Sequence, residues 1–244
     1  LASEFAAKKI KQRVNDPEIA DLLIPKNHGF GTRRLPLETG YYEVYNQENV
    51  TLIDINKTPI ECINENGIKT SEKEFGFDLL IYATGFDGVT GPYDRIDIKG
   101  KEGRCLKEEW TTFPRTLFGM QVDGYPNMLM ILGPHTARGN IPRNIEEVVE
   151  WQTDLISFMM ENEFDRVEPD SAAVDDWINT VSKASEGLLS SKIASWQTGV
   201  NRNVEGRSAP RVLGYNGGAV RYRKIIDSVA TREYQEFLFS QIGK

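Results

Sequence analysis

The sequence predicts an α/β fold, in which buried strands alternate with amphipathic helices around an open sheet. Two apolar runs carry this prediction, residues 79–82 and residues 128–132. Small or rigid residues close each run at once, at 83–85 and at 133–134, and a long helix-forming segment follows the second run. Such runs are typical of buried strands, and open α/β sheets bind ligands just beyond the carboxyl ends of their strands. We therefore expect both endings to border a ligand, although an isolated glycine at such a position can also simply turn the chain.

The composition excludes several classes of protein. A chain of 244 residues with 39% hydrophobic residues and a net charge of −7 can bury a sizeable core, in one large domain or two small ones. The absence of a basic surplus argues against nucleic-acid binding. No apolar run reaches the roughly 20 residues that cross a bilayer, so we expect no membrane association and a cytoplasmic protein. Cys62 and Cys105, with His28 and His135, predict neither a disulfide framework nor a metal site.

The first part of the chain predicts two short helices and a cationic loop. Apolar residues recur among lysines and arginines over residues 3–14, which is typical of an amphipathic helix. Asp16 as N-cap and Pro17 at the first helical position then start a second helix. A glycine-bearing loop follows and delivers Arg33 and Arg34. Two adjacent cations suit a phosphate or another anion, or they form a solvated surface pair.

A three-stranded segment is predicted next. Residues 50–55 alternate between apolar and polar side chains, and residues 59–63 form a second extended run. Asn66 and Gly67 are a two-residue hairpin signal that leads into residues 68–70. We expect this segment to dock beside a nucleotide-binding sheet as an insertion.

The second half predicts helices joined by long loops. Asn144 is the expected N-cap of a long helix, with Glu146 and Glu147 in its first turn, where acidic side chains favour the positive end of the helix dipole. Residues 200–210 form a polar loop that is longer than most loops, and such loops usually have a function. Two further helices and four short extended pieces are expected at residues 172–187 and 222–229, and at residues 96–98, 116–120, 128–132 and 212–215.

Four short motifs also follow one another in a defined order. They are Phe30-Gly31-Thr32-Arg33-Arg34 with Tyr41-Tyr42-Glu43, Ala83-Thr84-Gly85-Phe86-Asp87 with Val89-Thr90-Gly91, Gly133-Pro134 ahead of residues 146–151, and Ser195-Trp196 with Thr198-Gly199. In this order and at these separations the chain resembles the C-terminal half of the Baeyer–Villiger monooxygenases. These are flavin enzymes that insert oxygen beside a ketone carbonyl.

The resemblance implies a fold with two dinucleotide-binding domains, one for FAD and one for NADP. Residues 1–63 would then be the end of the NADP-binding domain and a linker, and residues 64–244 the C-terminal part of the FAD-binding domain. No GxGxxG follows a strand in this sequence, whereas family members carry two such loops in their N-terminal half. The implied fold is therefore incomplete, and we expect activity to require the N-terminal half.

The resemblance also implies a reaction and its residues. FAD and NADP would be the cofactors, a small-molecule ketone and O2 the substrates, and an ester or lactone the product. Arg34 is the implied catalytic residue, because a fixed cation stabilises negative charge that develops on oxygen, and it would also contact the nicotinamide. Arg33 would lie nearer the 2′-phosphate of NADP, where a guanidinium can form a bidentate pair.

The remaining implied site residues line the cofactors. Ala83, Thr84 and Gly85 would approach the FAD closely with their backbone, and Gly133, Pro134, Asn140 and Ile141 would border the flavin edge. Trp196 would contact the nicotinamide ribose or wall the substrate pocket, or it is only a half-buried aromatic. The loop from His135 to Arg143 carries a charged Arg138 that departs from the family pattern, so the substrate stays open. Two alternatives also stay open, a flavin N- or S-oxygenating relative and a truncated protein with only an interaction role.

Overall fold

The computed structural model describes residues 1–201 and 203–241. It divides into two compact units, Leu1–Gly85 and Phe86–Lys244. Within the described ranges, no helix combines the length and the apolar character needed to cross a membrane. The predicted boundary between the cofactor domains lies after residue 63, whereas the two compact units divide after Gly85. The assignment of cofactor domains stays a prediction. The α/β class is confirmed, since both units contain helices and strands are present in both.

The elements are named in chain order. The helices are α1 (Ala2–Arg13), α2 (Pro17–Leu23), α3 (Leu106–Glu109), α4 (Ile141–Glu161), α5 (Ser171–Ser185) and α6 (Ala219–Thr231). The strands are β1 (Ile60–Ile63), β2 (Gly67–Thr70), β3 (Glu74–Gly76), β4 (Arg166–Pro169) and β5 (Phe237–Ser240). Single 3-10 turns lie at Glu43–Asn46, Tyr93–Arg95, Lys101–Gly103, Leu189–Lys192 and Trp196–Thr198.

The first unit begins with the two predicted helices, and both are confirmed. Asp16 caps α2 by accepting hydrogen bonds from the backbone N–H groups of Glu18 at 2.8 Å and Ile19 at 3.2 Å. A small core of Ile10, Val14 and Ala20 joins the two helices. The cap and the apolar contacts together fix the start of α2 and its packing against α1.

A three-stranded antiparallel sheet, in the order β1-β2-β3, completes the first unit. The predicted hairpin is confirmed: the Asn64 side chain accepts hydrogen bonds from the N–H groups of Asn66 and Gly67, each at 3.0 Å. A Cβ atom at Gly67 would lie 2.0 Å from the Phe75 carbonyl oxygen, so the close approach of β3 requires glycine here. The strand predicted at 50–55 is wrong, because this stretch ends in a turn in which Asp54 O accepts from Lys57 N.

The other predicted strands are also wrong as regular strands. Residues 79–82 and 128–132 have no ladder partner among the described residues, and the second run ends in a bend where Leu132 has a φ of 55°. The pieces at 96–98, 116–120 and 212–215 make at most single bridges. A strand is stable only when a neighbour satisfies its backbone groups. The consequence is largest at residues 79–82, where Leu79 is 75% exposed and Ile81 is 77% exposed instead of buried.

The core of the second unit lies among α4, α5 and α6. Trp151 and Trp177 are its largest side chains, and Trp151 Nε1 donates to the Ile226 carbonyl at 2.8 Å. Tyr222 donates its hydroxyl proton to the Phe118 carbonyl at 2.7 Å, which satisfies a buried polar group. An antiparallel pair, β4 with β5, covers one side. The predicted helices at 172–187 and 222–229 correspond to α5 and α6.

Candidate functional site

A tight turn presents the two adjacent arginines of the first unit. Thr32 is buried, and both its N–H and its hydroxyl donate to the Gly29 carbonyl, at 3.2 and 2.7 Å. Gly31 has a φ of 78°, a left-handed conformation that glycine adopts without strain. The N–H of Phe30 donates to the Ser3 hydroxyl of α1 at 3.0 Å. The turn that precedes Arg33 is thus anchored to the first helix.

A charged clamp anchors the chain beyond the arginines to the same helix. Arg13 at the end of α1 donates to Glu43 at 2.5 and 2.7 Å and to Glu38 at 2.6 Å, and its guanidinium lies 5.0 Å from the Tyr42 ring centre. These hydrogen bonds lower the pKa of both carboxylates. Because the loop is fastened to α1 on both sides, its two arginines are held in a defined segment of backbone.

The two arginines have different surroundings. Arg33 is half-buried, and burial together with its positive charge lowers the pKa of His28. Arg34 is exposed and has no hydrogen-bond or ion-pair partner within residues 1–201 and 203–241. Arg34 is therefore the cation of the pair that can serve an external anion without first breaking an internal contact.

Residues Ala83, Thr84 and Gly85 form the exposed, extended end of the first unit. The expectation that they close a buried strand is wrong. Gly85 has a φ of 87°, and no atom of the chain lies within 4 Å of the place where its Cβ would be. The backbone at this point is accessible, as a close approach by a ligand requires.

In the second unit, Gly133 and Pro134 form a buried, rigid turn. A Cβ at Gly133 would lie 2.5 Å from the Gly119 carbonyl oxygen, and one at Gly119 would lie 2.7 Å from the Pro134 oxygen. The Thr116 hydroxyl donates to Pro134 O at 2.8 Å, and the Thr136 hydroxyl donates to Gly133 O at 2.9 Å. Two backbone segments therefore touch here without intervening side chains, which fixes the position of the turn.

The buried side chain of His135 holds this turn in place. Its imidazole is fully buried, with Nε2 3.1 Å from the Val212 carbonyl and Nδ1 3.1 Å from the Thr116 hydroxyl. Burial lowers its pKa to about 4, so the ring is neutral near pH 7. A carbonyl can only accept, so Nε2 of the neutral ring carries the proton and donates it to Val212 O, while the proton of the Thr116 hydroxyl goes to Pro134 O. His135 is thus a structural residue rather than an acid or base at this position.

Helix α4 begins four residues earlier than predicted. Asn140, not Asn144, is the N-cap, and its side chain accepts from Arg143 N at 3.2 Å while Pro142 occupies the second helical position. Asn144 lies inside the helix and donates to the Ala137 carbonyl at 3.1 Å. The predicted placement of Glu146 and Glu147 in the first turn is consequently wrong. The first turn carries no acidic residue, so no carboxylate offsets the positive end of the helix dipole near Ile141.

Trp196 stands on a short turn of the second unit and is 54% exposed. Its indole lies close to Gly88, where an added Cβ would be 3.4 Å from Cε3. The other tryptophans, Trp110, Trp151 and Trp177, are all buried. A large aromatic with about half of its surface exposed suits stacking on a flat ligand.

A buried ion pair that the sequence did not reveal fixes the polar loop after Trp196. Arg207 is only 4% exposed and donates to Asp94 at 2.5 Å and also to the Thr90 hydroxyl. Asn201 approaches Asp87 at 3.4 Å, and Arg202 beside it lies outside the described residues. The loop is thereby tied to the segment that follows Gly85. No local signal could identify the pair, since its members are 113 residues apart.

The expected site residues therefore fall into two groups. Arg33, Arg34 and residues 83–85 belong to the first unit, and Gly133, Pro134, Asn140, Ile141 and Trp196 belong to the second. Within the second unit the structure joins the loop after Pro134 to the Trp196 turn through Arg138, whose Nη2 donates to the Gln197 carbonyl at 2.7 Å. Each group pairs a rigid backbone turn with an accessible functional group.

Comparison with known sequences identifies relatives of this chain. No protein-family model matches the chain. It is 40% identical over 239 residues to 2-oxo-Δ3-4,5,5-trimethylcyclopentenylacetyl-CoA monooxygenase of Pseudomonas putida, covering 96% of this chain and 44% of that protein. It is 37% identical to a phenazine N-monooxygenase of Lysobacter antibioticus and to a Baeyer–Villiger monooxygenase of Pseudooceanicola batsensis, in each case over 97% of this chain and 43% of the relative.

Solved structures agree with the sequence comparison. The crystal structure of OTEMO in complex with FAD and NADP is 39% identical, with a TM-score of 0.87, and is matched over 98% of this chain and 44% of its own. NADP+-bound cyclohexanone monooxygenase from Rhodococcus sp. Phi1 is 34% identical, with a TM-score of 0.90 and the same coverage. The chain thus spans less than half of the length of these relatives. By sequence and by structure it is a homologue of the Baeyer–Villiger monooxygenases, and its extent is consistent with their C-terminal half.

Proposed function

We propose that this chain is the C-terminal portion of an FAD- and NADPH-dependent monooxygenase that acts on a small-molecule ketone. The reaction converts ketone, O2, NADPH and a proton into an ester or lactone, NADP+ and water. The observation that carries the proposal is the match of 98% of the chain to a structure that contains both FAD and NADP. On this proposal, residues 1–63 belong to the NADP-binding domain and linker, and residues 64–244 to the FAD-binding domain.

The described residues fit a flavin. Gly133 and Pro134 form a turn held by backbone contacts on both sides, as a planar ring system requires of its wall. The first turn of α4, at Asn140 and Ile141, carries no acidic residue, so the positive end of the helix dipole favours the negative charge of a reduced flavin. The exposed backbone of residues 83–85 leaves room for close approach. When bound, the flavin supplies the electrons that activate O2.

Arg34 is the residue to which we assign the catalytic role. It is exposed, permanently cationic and unpaired in the described part of the chain, while the turn before it is anchored to α1. Such a cation stabilises negative charge on the oxygen that adds to the carbonyl, and one preorganised donor is worth roughly 3–4 kcal/mol of transition-state energy. We assign Arg33 to the NADP phosphate, because a half-buried guanidinium offers a fixed fork for a phosphate.

We infer that activity requires sequence beyond this chain. The 244 residues contain no GxGxxG loop to bind a pyrophosphate. Leu79, Ile81 and Tyr82 are exposed as one apolar stretch, which is typical of a surface that another segment covers. We also propose a cytoplasmic location, which the free thiols of Cys62 and Cys105 favour because they fit a reducing compartment.

The direct test supplies the chain with the N-terminal portion of the Pseudomonas putida relative, fused or in trans. We expect a yellow protein that oxidises NADPH and forms an ester or lactone from at least one ketone of a cyclic and linear panel. Labelled O2 should leave one oxygen atom in the product. A folded, flavin-loaded protein that forms no ester from any ketone would contradict the proposal, and a colourless protein would favour a purely interactive role.

Arg34 is tested in the same assembly. Arg34→Met should lower kcat by about 10²–10³-fold, as expected when one stabilising donor is removed. Lys57→Met, which removes an exposed cation elsewhere in the first unit, is the matched control and should leave kcat unchanged. Equal rates for Arg34→Met and the wild type would show that Arg34 is not the catalytic cation.

N-oxygenation is a second candidate function, and one observation favours it. The phenazine N-monooxygenase is as similar to this chain as the Baeyer–Villiger enzyme of Pseudooceanicola batsensis. Incubating the completed enzyme with a heteroaromatic amine and with ketones distinguishes the two reactions, since one yields an N-oxide and the other an ester. N-oxide formation in the absence of any ester would replace the leading proposal.

A further inference from the structure

The turn that carries Trp196 has its own internal hydrogen bonds. The Ser195 N–H donates to the Thr198 hydroxyl at 3.1 Å, and this hydroxyl lies 2.8 Å from the Ile193 carbonyl. Gly199 ends the turn with a φ of 68°, which glycine adopts without strain. These bonds define the shape of the turn, while its position depends on the groups around it.

Two arginines donate hydrogen bonds to backbone carbonyls of this turn. Arg138 Nη2 donates to the Gln197 carbonyl at 2.7 Å. Arg211 Nη2 donates to the Gly199 carbonyl at 3.2 Å, and its backbone N–H donates to Thr198 O at 2.8 Å. Hydrogen bonds from charged donors are stronger than neutral ones, so these contacts limit the movement of the turn.

The Arg138 side chain passes close to the backbone of Gly214 on its way to the turn. A Cβ at Gly214 would lie 2.6 Å from Arg138 Nε and 3.4 Å from Cζ. Arg138 is exposed by surface area, while partial desolvation of its guanidinium lowers its pKa. No carboxylate pairs with it within residues 1–201 and 203–241. Its ordered position therefore depends on the Gln197 carbonyl rather than on an ion pair.

The same arginine belongs to the loop that follows the Gly133-Pro134 turn. Ala137, immediately before it, pairs with Tyr215, and the Thr136 carbonyl accepts from Tyr215 N at 2.9 Å. The start of the Arg138 side chain is thus fixed by a backbone bridge, and its end holds the Trp196 turn. One side chain connects the turn expected at the flavin with the aromatic expected at the nicotinamide.

We propose that Arg138 is a positioning residue, which holds the Gln197 carbonyl and so fixes the indole of Trp196 for the nicotinamide half of NADPH. The role of Trp196 in this proposal depends on the proposed monooxygenase function, whereas the mechanical link between Arg138 and the Trp196 turn does not. Arg138 itself need not touch the cofactor. It acts through the backbone of the turn, so its loss should affect NADPH binding more than the chemical step.

The first test measures the mobility of Trp196 in the full 244-residue chain. Trp196 is the exposed tryptophan of the four, and subtraction of the Trp196→Phe signal isolates its emission. Arg138→Met should raise acrylamide quenching and lower the anisotropy of this emission. Acrylamide is neutral, so the lost charge does not itself change quenching. Arg143→Met, on the same stretch but paired with Glu147, is the matched control and should behave as the wild type.

A second variant keeps the proposal falsifiable if Arg138→Met does not fold. Gly214→Ala displaces the guanidinium sterically and preserves its charge, because Gly214 does not have a left-handed backbone. Circular dichroism checks the fold of each variant. If a folded Arg138→Met or Gly214→Ala protein shows the quenching and anisotropy of the wild type, the positioning role is wrong.

A second readout uses the enzyme completed with an N-terminal portion. Arg138→Met should raise the KM for NADPH about tenfold, the effect of losing one charged hydrogen bond, and change kcat little. In the Trp196→Phe background the same substitution should have no further effect on KM. A kcat loss with an unchanged KM would overturn the proposal. If no variant oxidises NADPH, the proposed function fails, and the fluorescence result still decides the mechanical link.

Discussion

Acid should destabilise the second unit in a defined pH window because His135 is buried and neutral. Its pKa in the folded protein is lowered to about 4 by burial, against an ordinary value near 6.5. Above about pH 6.5 the residue is neutral in both the folded and the unfolded chain and has no effect. As the pH falls from about 6.5 to about 4, only the unfolded chain gains the proton, and the folded state loses stability.

The size of the effect follows from the lowered pKa. A difference of one pH unit between the folded and unfolded pKa values is worth about 1.36 kcal/mol. The free energy of unfolding should therefore fall by about 3 kcal/mol across this window. The residue is fully buried, so solvent does not screen this value. Urea unfolding followed by tryptophan fluorescence measures it, because all four tryptophans lie in the second unit.

The variant His135→Gln isolates the contribution of this one side chain. Its free energy of unfolding should depend on pH less steeply than that of the wild type, whatever stability it has lost through packing. Carboxylates titrate in both proteins, so their contributions cancel in the difference between the two slopes. His28→Gln is the control, because His28 lies in the first unit, which contains no tryptophan. Parallel slopes for His135→Gln and the wild type would refute the reasoning.

Three further substitutions test features of the second unit by urea unfolding. Asn140→Ala should lower the free energy of unfolding by about 1 kcal/mol through loss of the α4 cap, while Asn140→Asp keeps it. Gly119→Ala should lower the free energy of unfolding by more than about 2 kcal/mol, because the left-handed backbone and the Thr136 side chain, 2.5 Å away, both oppose a Cβ. Its control is Gly103→Ala, which has the same left-handed backbone but no atom within 4 Å and should lose only the energy of backbone strain. Arg207→Met should cost about 3 kcal/mol by leaving Asp94 unpaired, against little for the exposed Arg95→Met. An equal loss in a variant and its control would contradict the corresponding assignment.

Signals that lie within a few residues were predicted correctly. The Asp16-Pro17 start of α2 and the Asn66-Gly67 hairpin each depend on hydrogen bonds between near neighbours, so the local sequence contains all of their partners. The start of α4 was misplaced because the same stretch holds two asparagines with capping ability. Pro142 decides between them, since proline is tolerated in the first helical turn and Asn140 then becomes the cap.

Signals that depend on distant partners could not be predicted. Residues 79–82 have the composition of a buried strand, but a strand exists only beside another strand, and the described chain provides none for it. Arg207 looked like one polar residue of a polar loop, yet its partner Asp94 makes it one of the most buried cations of the protein. The roles proposed for Arg34 and Trp196 come from motif order, whereas their exposure is apparent only in the fold.

The exposed apolar stretch of residues 79–82 also makes the protein open to a specific cut. Leu79, Tyr82 and Phe86 are cleavage sites for chymotrypsin, and all three stand out from an extended backbone at the junction of the two units. Brief digestion should therefore separate the first unit from the second before either is degraded. Anything that covers this stretch would protect it, so the rate of cleavage here reports whether another segment or protein covers residues 79–82.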